Sequence, residues 1–138
     1  MRSLILTIVF LLTSMNITSA QNSTAIVSAQ KIISDQISAF LEGDEARAFS
    51  HAAPQIRQLF TTPEKFIAMV KKGYMPLFLP NSFRFTKNKQ VNGIFYQELI
   101  VTGESGKKWQ AGYSLKMQVD GDWKITGVLL QVLGGDAI

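Results

Sequence analysis

From Trp109 to Val119 the chain alternates: Trp109, Ala111, Tyr113, Leu115, Met117 and Val119 are apolar, and Lys108, Gln110, Gly112, Ser114, Lys116 and Gln118 are polar or small. A two-residue period places one set on each face of a pleated strand, so the segment predicts a strand with one face in a core and the other in water. Such a strand needs antiparallel neighbours and a covering layer. Asp120-Gly121 is a tight-turn signal, and Asp122 to about Val132 returns as the last strand, with Gly127 marking a bulge where alternation slips between Ile125 and Val128. Upstream, a strand over Ile94 to Thr102 lies between Asn92-Gly93 and Gly103-Glu104-Ser105-Gly106, and alternation begins at Phe83 and Phe85. Together they predict an antiparallel meander.

Before residue 80 the period is helical. From Ser23 or Thr24, residues suited to cap a helix, the chain runs to Glu42 with Ile26, Ala29, Ile33, Ile37, Phe40 and Leu41 at helical spacing, and Gly43 ends the segment. At about 100° per residue Asp35 falls opposite Ile26, so this carboxylate is expected in water. A second start at Asp44 puts Ala46, Phe49 and Ala53 on one face until Pro54, which opens a further turn through Leu59. Thr62 caps a third helix, with Pro63 at its first position, Glu64 near the positive end of the dipole, and Phe66, Ile67, Met69 and Val70 inside. Lys71 and Lys72 occupy its last turn and Gly73 stops it. Helices followed by a run of strands define an α+β class: N-terminal helices packed on a curved antiparallel sheet of about four strands, a half-open cone.

The first twenty residues carry a different pattern. Arg2 is followed by the apolar run Leu4 to Leu12, broken only by Thr7, and then by Thr18-Ser19-Ala20 before Gln21. This order of charge, apolar run and small residues predicts a cleavable signal peptide over 1–20. The protein is then exported, periplasmic or secreted, with a single domain over 21–138. The run is shorter than the ~20 apolar residues a bilayer requires, so no stable membrane span is expected after cleavage. Asn22-Ser23-Thr24 is a glycosylation sequon in hosts that modify exported proteins. No cysteine occurs, which removes disulfides, thiolate nucleophiles and cysteine-bound zinc. A hydrophobic share of 46% with 17% charged residues suits a globular core rather than a disordered chain. The formal charge of +4 is too small to identify a partner.

The residues that could carry chemistry are few. His51 is the single histidine and could act as a general base, but on the helical wheel it lies about 200° from Phe49, which predicts a solvated surface position. Most carboxylates stand where turns and caps favour them, whereas Glu98 is mid-strand. With Phe95, Leu99 and Val101 inward, Glu98 faces outward beside Ile94, Tyr96 and Ile100, and Gln97 points into the cone. In the opposite register Glu98 would be the one buried carboxylate, with a raised pKa. Gly103 to Lys108 fails as a phosphate loop, because its spacing is wrong and it leads into a strand.

One histidine and scattered carboxylates predict no metal site, and no cofactor motif is present. Nucleic-acid binding would need lysines and stacking aromatics on one face, whereas alternation sends Trp109 away from Lys108 and Lys116. What remains is a set of pocket candidates at the cone mouth: Tyr74 and Gln97 foremost, then Tyr96, Tyr113 and Trp109, the last read, like Trp123, more as core. No catalytic residue is assigned.

A resemblance sharpens the fold. The strings Ala48-Phe49-Ser50 with Ala53-Pro54-Gln55-Ile56, Phe66-Ile67-Ala68-Met69-Val70 with Gly73-Tyr74-Met75-Pro76, then Pro80, Trp109, Tyr113 and Gly121-Asp122-Trp123 resemble an uncharacterised family of small exported bacterial domains. That family is similar in fold to the nuclear transport factor 2-like superfamily. The resemblance covers nearly all of the chain after residue 20 and is most specific from Met69 to Pro80. It implies a pocket between helices and a concave sheet, used by some superfamily members for catalysis and by others only for binding or dimerisation, so fold does not decide function. Two departures stand out. A short strand common before the third helix is not visible, and Phe78 and Leu79 replace an aromatic hydroxyl and an arginine, which removes polar character from that loop.

The expectation is a non-catalytic exported domain that binds an unknown small molecule or an envelope protein. One alternative is a pocket enzyme of isomerase or cyclase type, which needs a buried acid or base inside the cone. The other is a structural homodimer through Ile94, Tyr96 and Ile100.

Overall fold

Five helices precede four strands in the computed structural model, which describes residues 17–134. They are α1 (Ile17–Glu42), α2 (Glu45–Ser50), α3 (Pro54–Phe60), α4 (Pro63–Gly73) and α5 (Met75–Phe78), then β1 (Ser82–Val91), β2 (Ile94–Thr102), β3 (Lys108–Met117) and β4 (Trp123–Val132). The charged start and apolar run of the predicted signal peptide lie outside the described residues. Among the described residues no helix is long and apolar enough to cross a membrane.

The helix ends follow from local chemistry. Gly43 takes φ +72° and closes α1, a conformation that costs glycine little. Asp44 Oδ1 accepts from the Arg47 backbone N–H at 3.1 Å, capping α2, and Thr62 Oγ1 accepts from the Lys65 N–H at 3.3 Å, capping α4. Pro54 and Pro63 stand in the first turns of α3 and α4, where a missing N–H breaks no bond. The start of α1 differs from expectation: Ser23 and Thr24 lie within the helix rather than at its cap. No glycine or proline interrupts residues 17–42, so nothing in the chain halts the helix there. Leu41, expected in the core, is 53% exposed, and on α2 the buried residues are Ala48 and Phe49 while Ala46 is exposed. Helix α5 was not expected.

The sheet is an antiparallel meander in the order β1-β2-β3-β4. Asn92 and Gly93 have φ of +51° and +78° and join the paired residues Val91 and Ile94, as a two-residue hairpin loop requires. The bulge expected near Gly127 is present: Ser114 pairs with Gly127 but Leu115 pairs with Ile125, leaving Thr126 as the extra residue. A second irregularity sets Thr86 and Lys87 against Glu98 alone. Strand β3 ends earlier than its alternation suggests, and Met117 and Val119, read as core, are exposed. The turn already begins at Gln118, whose N–H donates to Asp122 O at 2.8 Å, so the hairpin tip lies outside the core. Before α3 the chain makes one parallel bridge, from Ala52 to Ile125, with Ala53 N donating to Ile125 O and Ile125 N to His51 O.

Two apolar clusters hold the layers together. One joins α1 to the sheet through Ala29, Ile33, Ile37, Phe95, Leu99 and Leu115. The other joins the helices through Phe40, Phe49, Phe66, Ile67 and Val70, with the Phe49 and Phe66 rings 5.3 Å apart. Each isoleucine, leucine, valine or phenylalanine among them stabilises the fold by about 1.5–3 kcal/mol on burial. On the other face of the sheet Glu98 points outward as expected, accepting from Thr86 Oγ1 at 2.8 Å and Gln110 Nε2 at 2.5 Å, while Gln131 donates to Gln110 Oε1 at 3.2 Å. That chain of polar groups crosses all four strands.

Candidate functional site

Where the two clusters meet they leave a cavity of about 280 Å³, near the lower end of the ~300–1,000 Å³ common for ligand sites. Its helical wall is Gln36 and Phe40 of α1, Ala52, Ile56 and Phe60 around α3, and Phe66, Met69 and Val70 of α4. Tyr74 and Leu77 close one side, and the sheet contributes Tyr113, Ile125, Gly127 and Val128. The sequence makes this hollow in a simple way. Ala52 is tied by backbone to β4 and brings only a methyl group, and the β4 bulge places a glycine, with no side chain at all, where a strand residue would stand.

Three polar side chains reach this wall. Gln36 is 3% exposed, and its Nε2 donates to Ala48 O at 3.1 Å, tying α1 to α2. Tyr74 donates its hydroxyl to Val128 O at 3.3 Å, joining the end of α4 to β4. Tyr113 is 1% exposed, and its hydroxyl has no hydrogen-bond partner among the described residues. Burial pushes the Tyr113 phenol well above the usual tyrosine value, so it keeps its proton throughout the neutral range. Among the described residues no carboxylate, lysine, arginine or histidine lies on the wall.

The five pocket candidates separate. Tyr74 and Tyr113 line this cavity, Tyr96 and Gln97 border a separate hollow with Lys89 and Glu98 that Tyr113 also reaches, and Trp109 borders a third with Gly103 and Leu130. Gln97 is inward and 1% exposed, but it accepts from Gln30 Nε2 at 3.1 Å and donates to Lys87 O at 3.2 Å and Glu98 O at 2.9 Å. The Lys87 carbonyl it bonds lies at the β1 irregularity. Tyr96 is 41% exposed on the outer sheet face, under the Lys89 ammonium. Trp109 is half-buried against the core at the start of β3, with Lys107 Nζ 5.1 Å from its ring centroid. The cavity residue the sequence reading passed over is Gln36. Its signal was present, since it falls three residues after Ile33 on the apolar stripe of α1.

The ionisable residues gather elsewhere. His51 and Asp35, both expected in water, are paired: His51 Nε2 donates to Asp35 Oδ2 at 2.5 Å, and the imidazole side chain is only 19% exposed. The wheel misplaces His51 because α2 ends at Ser50, and the chain beyond it turns back to bridge β4. Arg47 Nε lies 3.4 Å from the same carboxylate oxygen, without hydrogen-bond geometry. The His51 hydrogen bond, with help from the Arg47 charge, holds Asp35 below the usual carboxylate value. Among the described residues no three histidine, cysteine or carboxylate side chains converge as a metal site would need.

No curated protein matches the chain. Residues 21–136 match a family model described as a domain of unknown function, DUF4864, and the chain belongs to that family.

Proposed function

We propose that this protein is an exported binding domain that holds one small uncharged molecule in the cavity between its helices and the β3–β4 half of the sheet. The observation that carries this reading is the wall itself: aromatic and aliphatic over most of its area, with one amide, two phenols and, among the described residues, no charged side chain. Such a surface gains free energy by covering an apolar ligand and loses it by desolvating a charged one. An isomerase or cyclase would need an acid or base at the reacting atoms, and the groups on the wall able to exchange a proton are the Tyr74 and Tyr113 phenols, the second held protonated by burial.

Support for export comes from the signal pattern, and the family match starts at Gln21, the residue after the expected cleavage point. The mass of the protein recovered from its host is expected to correspond to a chain beginning at Gln21; an intact Met1 terminus contradicts export by cleavage.

Binding is tested by titrating α-methylstyrene, a neutral single-ring hydrocarbon, while following the methyl NMR signals of Met69 and Val70. Saturable shifts are expected, and they should vanish in Val128→Phe, whose larger ring occupies the cavity, provided thermal unfolding remains cooperative. No shift in the unaltered protein, or shifts that survive in the filled variant, would count against the reading.

A further inference from the structure

Tyr113 gives the occupant a chemical identity, an inference that rests on the binding reading above. Its side chain forms part of the cavity wall, its hydroxyl bonds to no other described residue, and the oxygen is not among the wholly enclosed unpartnered atoms, so it borders open space. A ligand that fills the cavity without accepting from this hydroxyl strips water from the donor and leaves it unsatisfied, which costs binding free energy. The other polar groups of the wall do not relieve it: Tyr74 is bonded to Val128 O and Gln36 to Ala48 O, and no hydrogen bond links either to Tyr113. A volume of about 280 Å³ lined by Phe40, Phe66 and Met69 suits one ring rather than several.

We propose that the ligand is an uncharged, single-ring molecule bearing a carbonyl or ether oxygen, and that this oxygen accepts the hydrogen bond of the Tyr113 hydroxyl. The ring sits among the phenylalanines, and the oxygen fixes its orientation. Tyr113 then selects oxygenated molecules over hydrocarbons of the same shape, since only they satisfy the donor.

Acetophenone and α-methylstyrene share a ring and a branched substituent and differ in having C=O or C=CH2. Their dissociation constants are measured on the unaltered protein and on Tyr113→Phe. The preference for acetophenone relative to α-methylstyrene is expected to fall about fivefold to tenfold in the variant, the size of one net hydrogen bond. Comparing the two proteins cancels the different hydration of the two probes. If both proteins bind both probes with an unchanged ratio, the proposal is overturned and the binding reading stands. If the unaltered protein binds neither probe, both are overturned. Should the variant fail to fold, the infrared carbonyl stretch of acetophenone bound to the unaltered protein decides: a shift to lower frequency than in hydrocarbon solvent supports the hydrogen bond, and no shift overturns it.

Discussion

Gln36 and Tyr113 face the same cavity from opposite layers and differ in what their polar atoms meet. Gln36 satisfies a backbone carbonyl of α2, and Tyr113 satisfies nothing among the described residues. Removing each therefore has a different consequence. Gln36→Leu leaves the Ala48 carbonyl without its side-chain donor, and is expected to lower stability by about 1–3 kcal/mol in urea unfolding. Tyr113→Phe removes a donor that has no partner, and is expected to leave stability unchanged or raise it by up to about 1 kcal/mol. A large loss in the second variant would mean that the hydroxyl has an acceptor after all.

Asp35 belongs to the same scale but to a different chemistry. Its folded pKa is lowered, chiefly by the His51 hydrogen bond, from an ordinary value of 3.8. A depressed carboxyl pKa contributes stability that is fully present above 3.8 and is lost as pH falls through the lowered folded value. The unaltered protein should thus be more stable than Asp35→Asn at pH 6, and the gap should close below that window. The carboxylate is 43% exposed, so solvent screening keeps the effect modest. A gap that persists unchanged at pH 2 would show that packing, not charge, is responsible.

At the scale of elements, turns are set by backbone conformation more than by contacts. Gly93 has φ +78° and open space where a Cβ would go, so Gly93→Ala tests conformation alone and is expected to cost about 1–2 kcal/mol by thermal or urea unfolding. Those same turns explain why strands were the most legible part of the sequence. Asn92-Gly93 and the Gly103 to Gly106 loop bracket β2, and its observed limits, Ile94–Thr102, are the ones the residues indicate. Periodicity names the face of a side chain without saying how far the opposite layer extends, which is why Met117 and Val119 read as core yet stand in water. A helical wheel holds only inside a helix, and His51 lies just past the end of one. For the cavity, Tyr74 and Tyr113 were legible as amphipathic aromatics. Gln97 is inward, as the register of β2 indicates, but its bond to Lys87 O depends on the irregularity in the β1–β2 pairing, which one strand's residues do not reveal.

At the scale of the whole molecule, the cavity exists because two cores meet without merging: α1 packs one side of its surface on the sheet and another on α2 and α4. Both cores are complete enough to hold the fold, and the space between them is bordered by residues from each, including Phe40, Phe66, Leu77 and Ile125. The charged groups lie outside this seam, with the Asp35–His51–Arg47 cluster between α1 and α2 and the Glu98 chain on the outer sheet face. The interior is left open to shape and closed to charge. Calorimetric titration at pH 7 with acetophenone and with benzoate, molecules of similar size that differ in charge, tests that statement most directly. Acetophenone should bind with benzoate at least about tenfold weaker, because the described residues of the wall offer no cation to replace the water a carboxylate loses; benzoate binding as tightly as acetophenone, or more tightly, would contradict the account.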